Sequence, residues 1–352
     1  MTDTARTLTT IDDLVTAGLL PDGDRAPLAE VASHYAIAVS PAMATLIDAG
    51  ETAIARQFLP DARELATHPA EAADPIGDDR HSPVPGIVHR HRDRVLLKIV
   101  GACPVYCRFC FRREMVGPGN PALLPPEEIA EAIAYIAEHP EIWEVILTGG
   151  DPLILSPRRI TALMAQLATI PHVAVVRWHT RVPVVTPERI TDHLIAAMRA
   201  PGKSVILALH ANHPAELTPG ARTAIARLVD AGIPVVSQTV LLRGINDDLE
   251  TLSALMRAFV ASRVTPYYLH HGDLAPGTSH FRTSLAHGRA LARALRASLS
   301  GLCQPTYVLD LPGGYGKIPV LSPQVNETAP GQYEIEDAEG RIHIYTDATV
   351  TT

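Results

Sequence analysis

Apolar positions gather in short, nearly unbroken runs from residue 95 onward. They are VLLKIVG at 95–101, EVILTG at 144–149, VAVVRWH at 173–179, SVILALH at 204–210, PVVSQTVLL at 234–242 and TPYYLH at 265–270. Runs of this length, β-branched and without polar alternation, predict parallel strands covered on both faces. Between them the apolar period lengthens. Ile129, Ile133 and Ile136 share one helical face, as do Ile160, Leu163, Met164 and Leu167, and as do Ile190, Leu194 and Met198. Ser156-Pro157, Thr186-Pro187 and Thr218-Pro219 mark helix starts. A hydroxyl caps a free backbone N–H there, and proline is preset for the first turn. The starts lie 30 and 32 residues apart, the length of one strand–helix unit. Six units in series predict an α/β fold, a partial (β/α)6 TIM-like barrel, with a doubly wound open sheet as the structural alternative.

Outside this series the pattern changes. Residues 1–85 carry short helical stretches, such as Pro41 to Ala55, and then a Pro- and Asp-rich connector from His68 to Pro85. They read as an N-terminal helical extension. Residues 86–300 read as the barrel. Residues 301–352 hold a seventh apolar run, Thr306 to Leu309, a glycine-rich loop, and a β-hairpin in which QYEIED and RIHIYT flank Ala338-Glu339-Gly340.

Composition narrows the class. Hydrophobic residues make up 47% of 352 positions, which excludes a disordered chain. Acidic residues number 38 against 30 basic, a net charge of −8, which argues against a nucleic-acid binder. Nothing reaches 18 unbroken apolar residues, so no membrane helix is expected. The opening MTDTARTLTTIDDL lacks the charged and apolar regions of a signal peptide. A cytoplasmic location is expected.

Three of the four cysteines, Cys103, Cys107 and Cys110, form C-x3-C-x2-C directly after the first predicted strand. Such clustering reads as metal binding rather than as a disulfide framework. A [4Fe–4S] cluster normally takes four thiolates; three would leave one iron open to a non-protein ligand. Zinc on the three cysteines with His89 or His91 is the alternative, and with it a non-enzymatic zinc or iron–sulfur protein. Cys303 stands alone and reads as a small buried hydrophobe.

Lysine is scarce: only Lys98, Lys203 and Lys317 occur. Lys317 ends the segment Asp310-Leu-Pro-Gly-Gly-Tyr-Gly-Lys317. An Ile follows GGYGK, so this is not the phosphate loop G-x4-G-K-[ST]. An exposed loop lysine and a Schiff-base lysine for pyridoxal phosphate remain. If that cofactor is present, Lys98 lies in a buried strand and Lys203 in a turn at the far end of another, which leaves Lys317. His89-Arg90-His91-Arg92-Asp93-Arg94 is either a solvated charge run or a supply of cations for the phosphate. Polar residues also gather at the C-terminal strand ends: Arg181, His210, Gln238 and Asp273. Barrels build active sites on that rim.

The cysteine spacing, followed by strand–helix repeats, resembles the radical S-adenosylmethionine enzymes. Thr148-Gly149-Gly150-Asp151-Pro152 resembles their glycine-rich methionine-binding turn. HRHRDRVLLKIVGACPVYCRFCFRREMVG, TGGDPL, VVRWHTRVP, HANHPAEL, SQTVLLRGIND, GDLAPGTSHFRT and VLDLPGGYGKIPV also occur in one order. From about residue 60 to the hairpin the chain therefore resembles the lysine 2,3-aminomutase family, which uses pyridoxal 5′-phosphate as well. The resemblance implies that Cys103, Cys107 and Cys110 hold a [4Fe–4S] cluster whose open iron is chelated by S-adenosyl-L-methionine. It implies that Lys317 carries pyridoxal phosphate, that Arg90 and Arg94 hold its phosphate, and that Arg112 grips the substrate carboxylate. Thr148, Gly149, Gly150, Asp151, His210 and Gln238 fall where the family contacts S-adenosylmethionine. Asp273 and Asp310 match the pair that holds the ε-ammonium of L-lysine.

Two carboxylates at one pocket call for a cation between them. They would repel the side chain of glutamate, whereas arginine would suit them. The implied reaction moves the α-amino group of lysine to the β-carbon, giving β-lysine. The implied electron donor is a flavodoxin or ferredoxin. The product would serve lysine metabolism or the modification of translation elongation factor P. The chain departs from the family in two places. His91-Arg92 stands where Tyr-Pro is frequent, and the C-terminal cysteine-rich metal site of longer relatives has no counterpart, which leaves open whether the chain forms a homo-oligomer.

Overall fold

The computed structural model describes residues 6–348 apart from Pro118 and Asn120. Four short helices open the chain: α1 (Ile11–Thr16), α2 (Arg25–His34), α3 (Pro41–Asp48) and α4 (Thr52–Phe58). The pattern from Pro41 to Ala55 is two helices, because Gly50 takes φ +91° between them, a conformation open to glycine. Leu14, Val31, Met43, Ile54 and Phe58 from these helices share one continuous core with Leu97, Val145 and Trp178 farther along. Each such side chain contributes about 1.5–3 kcal/mol on burial. The connector is also folded against the rest. Gly313 N–H donates to the Pro75 carbonyl at 3.2 Å, and Arg80 Nη1 donates to the Gly313 carbonyl at 2.7 Å. The glycine loop ahead of Lys317 is thereby tied to residues 75–80.

β1 (Ile87–His91) and β2 (Arg94–Val100) form an antiparallel hairpin. The basic run His89–Arg94 is therefore strand and turn. Strands and helices then alternate: α5 (Pro126–Glu138), β3 (Glu144–Gly149), α6 (Pro157–Ala168), β4 (Val175–Thr180), the single turn α7 (Val182–Val185), α8 (Asp192–Met198), β5 (Ser204–His210), α9 (Pro219–Asp230), β6 (Val235–Val240), α10 (Leu249–Ala261), β7 (Val264–His270), α11 (Leu285–Ser298) and β8 (Thr306–Asp310). Each strand from β2 to β7 pairs in parallel with its successor, so β2 through β8 run side by side. Twist then accumulates in one sense and curls the sheet into an open barrel. This is the expected partial (β/α)6 barrel with β8 as a further parallel strand. β9 (Lys317–Pro319) folds back antiparallel on β8.

Two of the three hydroxyl–proline pairs start helices. Ser156 Oγ accepts from Arg159 N–H at 3.4 Å, and Thr218 Oγ1 accepts from Ala221 N–H at 3.2 Å. The third does not. Thr186 makes no capping bond and Pro187–Arg189 is only a 3-10 turn. Helix α8 starts five residues later, where Thr191 Oγ1 accepts from Leu194 N–H at 3.2 Å. Ile190 thus precedes the helix instead of sharing its face.

The tail forms a three-stranded antiparallel sheet: β10 (Val325–Ala329), β11 (Gln332–Glu336) and β12 (Ile342–Thr346). The expected hairpin is β11–β12, and β10 is added to it. Tyr333, Ile335 and Tyr345 pack on Leu285 and Leu295 of α11 and on Ile318 of β9 in a second core. Among the described residues no helix is long and apolar enough to cross a membrane.

Candidate active site

Alternation along the strands sends one set of side chains inward and the other toward the helices. On β4, Val176 and Trp178 join the outer core, while Arg177, His179 and the following Arg181 face a cavity of about 560 Å³. That cavity gathers the residues singled out by sequence. Cys103, Cys107, Cys110, Arg90, Arg94, Arg112, Thr148, Gly149, Gly150, Asp151, His210, Gln238, Asp273, Asp310 and Lys317 all line it. They come from distant parts of the chain. His210 and Gln238, for example, are lateral neighbours across β5 and β6.

The cysteine loop leaves the end of β2 and lies against the turn after β3. Gly149 has φ +117°, and an added Cβ on it would collide with the Val100 carbonyl oxygen. One on Gly150 would collide with the Ala102 carbonyl oxygen. Asp151 N–H donates to that same carbonyl at 3.0 Å. The glycines are thus required by the close approach of turn and loop. Asp151, expected among the cofactor contacts, lines the cavity and is bound within the protein as well. Its carboxylate accepts from Thr180 Oγ1 at 2.7 Å, from Arg181 N–H at 2.8 Å and from Leu153 N–H at 3.1 Å. With both oxygens engaged, it braces β3 against β4.

Arg181 reaches the cysteines directly: its Nη1 donates to Cys107 Sγ at 2.9 Å. Its Nη2 donates to Gln57 Oε1 at 3.1 Å and forms an ion pair with Glu216. Burial opposes this charge, but Cys107 and Glu216 outweigh it and hold the guanidinium above the usual arginine range. Burial pushes the Cys103 thiol well up and the Cys110 thiol to about 11. Both need a bound cationic centre to ionise, as iron would provide. The donor set fits a cluster. A cluster offers a separate iron to each thiolate. His89, an alternative zinc ligand, turns away: its Nδ1 lies 2.8 Å from Tyr135 Oη on α5.

Of the three lysines, only Lys317 lines the cavity. Lys203 Nζ donates to the Ile170 carbonyl at 2.5 Å, far from it in the fold. Lys317 stands opposite Asp310 in the β8–β9 register, and its ammonium forms an ion pair with Asp310 Oδ2. His270 Nδ1 lies 3.2 Å from Asp310 Oδ2 and 3.4 Å from Lys317 Nζ. The Tyr268 ring centroid is 5.5 Å from Nζ. Burial alone would raise the Asp310 pKa, yet Lys317 and His270 hold it well below the usual carboxylate range. Burial, and then the Asp310 charge, push Asp273 up to about 8. A fixed aldehyde-bearing cofactor would find its one amine here, beside two carboxylates that share a single negative charge.

Sequence reasoning missed Asp78. It is 1% exposed and joins two residues that were assigned separate roles. Arg90 Nη2 donates to its Oδ1 at 2.9 Å, and Arg112 Nε and Nη2 donate to its Oδ2 at 3.0 and 2.9 Å. Arg112 Nη1 also donates to Thr148 Oγ1 at 3.3 Å. No local signal distinguishes Asp78 from Asp74 and Asp79. His179 was missed too. Burial makes it neutral, and its Nε2 has no partner.

A cysteine loop heading a parallel barrel is the layout of radical SAM proteins, and the model of the Radical SAM superfamily matches residues 97–255. L-lysine 2,3-aminomutase of Fusobacterium nucleatum is 40% identical over 313 residues, covering 88% of this chain and 73% of that protein. The enzyme of the same name from Clostridium subterminale is 38% identical over 322 residues, covering 91% and 77%. Glutamate 2,3-aminomutase of Clostridioides difficile is 33% identical over 337 residues, covering 95% and 79%. The chain belongs to the lysine 2,3-aminomutase family of the radical SAM superfamily.

Proposed function

We propose that the protein is a 2,3-aminomutase that moves the α-amino group of L-lysine to the β-carbon, using a [4Fe–4S] cluster, S-adenosylmethionine and pyridoxal phosphate. The observation that carries this reading is a single cavity that joins three clustered cysteines to Lys317, Asp310 and Asp273. When bound, S-adenosylmethionine at the cluster supplies radical hydrogen abstraction, and pyridoxal phosphate supplies the carbonyl that carries the migrating nitrogen.

The chain's own residues bind and orient. Cys103, Cys107 and Cys110 hold the cluster. Thr148, Gly149, Gly150, His210 and Gln238 border S-adenosylmethionine. Lys317 anchors pyridoxal phosphate, Arg90 and Arg94 hold its phosphate, and Arg112 takes the substrate carboxylate in bidentate fashion. Asp273 and Asp310 select a distal cation and exclude a distal carboxylate. The barrel keeps water from the reacting carbons. A small one-electron carrier, flavodoxin or ferredoxin, supplies the electron, and the reaction belongs in the cytoplasm.

One anaerobic turnover tests this. Reconstituted protein is mixed with S-adenosylmethionine, pyridoxal phosphate, dithionite and L-lysine, and the products are read by mass spectrometry. β-Lysine is expected. 5′-Deoxyadenosine formed without β-lysine would move the substrate to arginine or another cationic amino acid. Neither product from cluster-loaded protein would overturn the reading.

A further inference from the structure

We propose that Arg181 sets the reduction potential of the cluster through its hydrogen bond to Cys107, with Glu216 as the counterweight that limits the shift. This rests on the reading that Cys103, Cys107 and Cys110 hold the cluster.

The bond is held from several sides. Asp151 accepts from the Arg181 backbone N–H at 2.8 Å, while Gln57 and Glu216 take Nη2. That leaves Nη1 on Cys107 Sγ at 2.9 Å. The Phe58 and Phe109 ring centroids lie 5.0 and 5.6 Å from the guanidinium carbon. Arg181 is 6% exposed and Glu216 is 0% exposed. Glu216 is fixed in turn: its Oε1 accepts from Asn212 N–H at 2.8 Å, His213 N–H at 3.0 Å and Gln57 Nε2 at 3.1 Å. Of these groups Arg181 touches the sulfur, and Glu216 acts on it through the guanidinium.

Reduction adds one electron to the cluster and its thiolates. A cation bonded to one thiolate stabilises that added charge, so it raises the potential. A buried carboxylate behind the cation works against it. In this apolar setting neither effect is well screened by water. The step itself is simple. An external one-electron donor takes the cluster from the 2+ to the 1+ state. No bond forms or breaks, and Arg181 stays protonated on both sides. The chain thus carries an electrostatic pair of opposite signs by which the ease of cluster reduction is set.

The test is a potentiometric titration of reconstituted protein without S-adenosylmethionine. Iron and sulfide are counted first, and the 1+ state is then read by electron paramagnetic resonance. Arg181→Gln is expected to shift the midpoint to more negative potential, and Glu216→Gln to more positive potential. Arg181→Lys should fall between Arg181→Gln and wild type. If Arg181→Gln fails to load its cluster, the other two variants decide, with shifts of opposite sign expected. Unchanged midpoints, or shifts of one sign, in loaded variants would overturn the inference. A wild-type protein that takes up no cluster would overturn the underlying reading instead.

Discussion

Asp310 and Lys317 are direct partners across β8 and β9, and the lysine ammonium rests on the aspartate carboxylate. The carboxylate proposed for the substrate's ε-ammonium thus already holds an alkylammonium, supplied by the protein. If Lys317 anchors pyridoxal phosphate as proposed, its ammonium would no longer be free to pair with Asp310, and the ε-ammonium of a bound lysine would supply a cation there. Asp310→Asn should then lower kcat/KM for lysine by about 10- to 100-fold, the value of a hydrogen bond to a charged group of about 1.5–3 kcal/mol. Borohydride should still trap pyridoxal phosphate on Lys317. Steady-state kinetics and mass spectrometry of the reduced adduct check both halves, and loss of the adduct would reassign Asp310 to cofactor anchoring.

Lys317→Ala should separate the two cofactor systems. The variant loses the borohydride-trappable adduct but keeps the cluster, because Lys317 touches Asp310, His270 and Tyr268 and none of the cysteines. Visible absorbance and intact-protein mass after reduction read the two outcomes independently. A persistent adduct would place the cofactor on Lys98 or Lys203.

With Asp273 in the proposed substrate pocket, lysine binding should depend on pH. Burial and the neighbouring Asp310 push its pKa up to about 8, so the free protein holds Asp273 protonated at neutral pH. A cation arriving between the two carboxylates favours the ionised form and releases that proton. The ε-ammonium itself stays charged in this range. Lysine binding should therefore tighten as pH rises toward about 8 and level off above it. Asp273→Asn should flatten the profile. The same group acts oppositely on folding: its raised pKa makes its contribution to stability greatest below about pH 4 and smaller as pH climbs toward 8. Isothermal titration across pH 6–9 in buffers of different ionisation enthalpy would measure the released proton.

Much of this arrangement was legible in the chain because its signals are local. Buried parallel strands such as EVILTG and SVILALH are nearly continuous in apolar residues, and the cysteines announce themselves by spacing. Strand β10 gave no signal, since Val325 alone among its residues is buried. Thr186-Pro187 carried the right start signal in a place where the chain makes one 3-10 turn before its helix. The Arg181–Glu216 and Arg112–Asp78 pairs join residues 35 and 34 positions apart. Charge alone does not say which aspartate or arginine meets which; tertiary packing decides it.

Glu64 anchors the cysteine loop to the N-terminal helices. It is fully buried; its carboxylate accepts from Arg108 Nε at 2.9 Å and Nη2 at 2.6 Å and forms an ion pair with Arg113. Glu64→Gln leaves two buried guanidinium groups short of charge. Breaking such a pair costs about 3–5 kcal/mol. The variant should unfold at clearly lower denaturant and bind less iron on reconstitution. Denaturation followed by circular dichroism measures the first effect and iron analysis the second. Unchanged stability would mean that the loop is held by its backbone contacts instead.

Asp78 couples Arg90 and Arg112, the arginines proposed for the cofactor phosphate and the substrate carboxylate, since Arg90 donates to one of its oxygens and Arg112 to the other. Burial opposes its charge, yet Arg112, Lys98 and Arg90 hold it below the usual carboxylate range, so it remains an anion between two cations. Asp78→Asn keeps the shape and removes the charge. Both guanidinium groups then lose a charge-assisted bond at the same time. The dissociation constant for pyridoxal phosphate and the KM for lysine should rise together, each by about tenfold for about 1.4 kcal/mol of lost orientation. Cluster content and its absorbance should not change. Fluorescence titration of the cofactor, set beside kinetics at saturating cofactor, distinguishes this from a defect confined to one arginine. An effect on pyridoxal phosphate alone would mean that Arg112 is positioned by Thr148 rather than by Asp78.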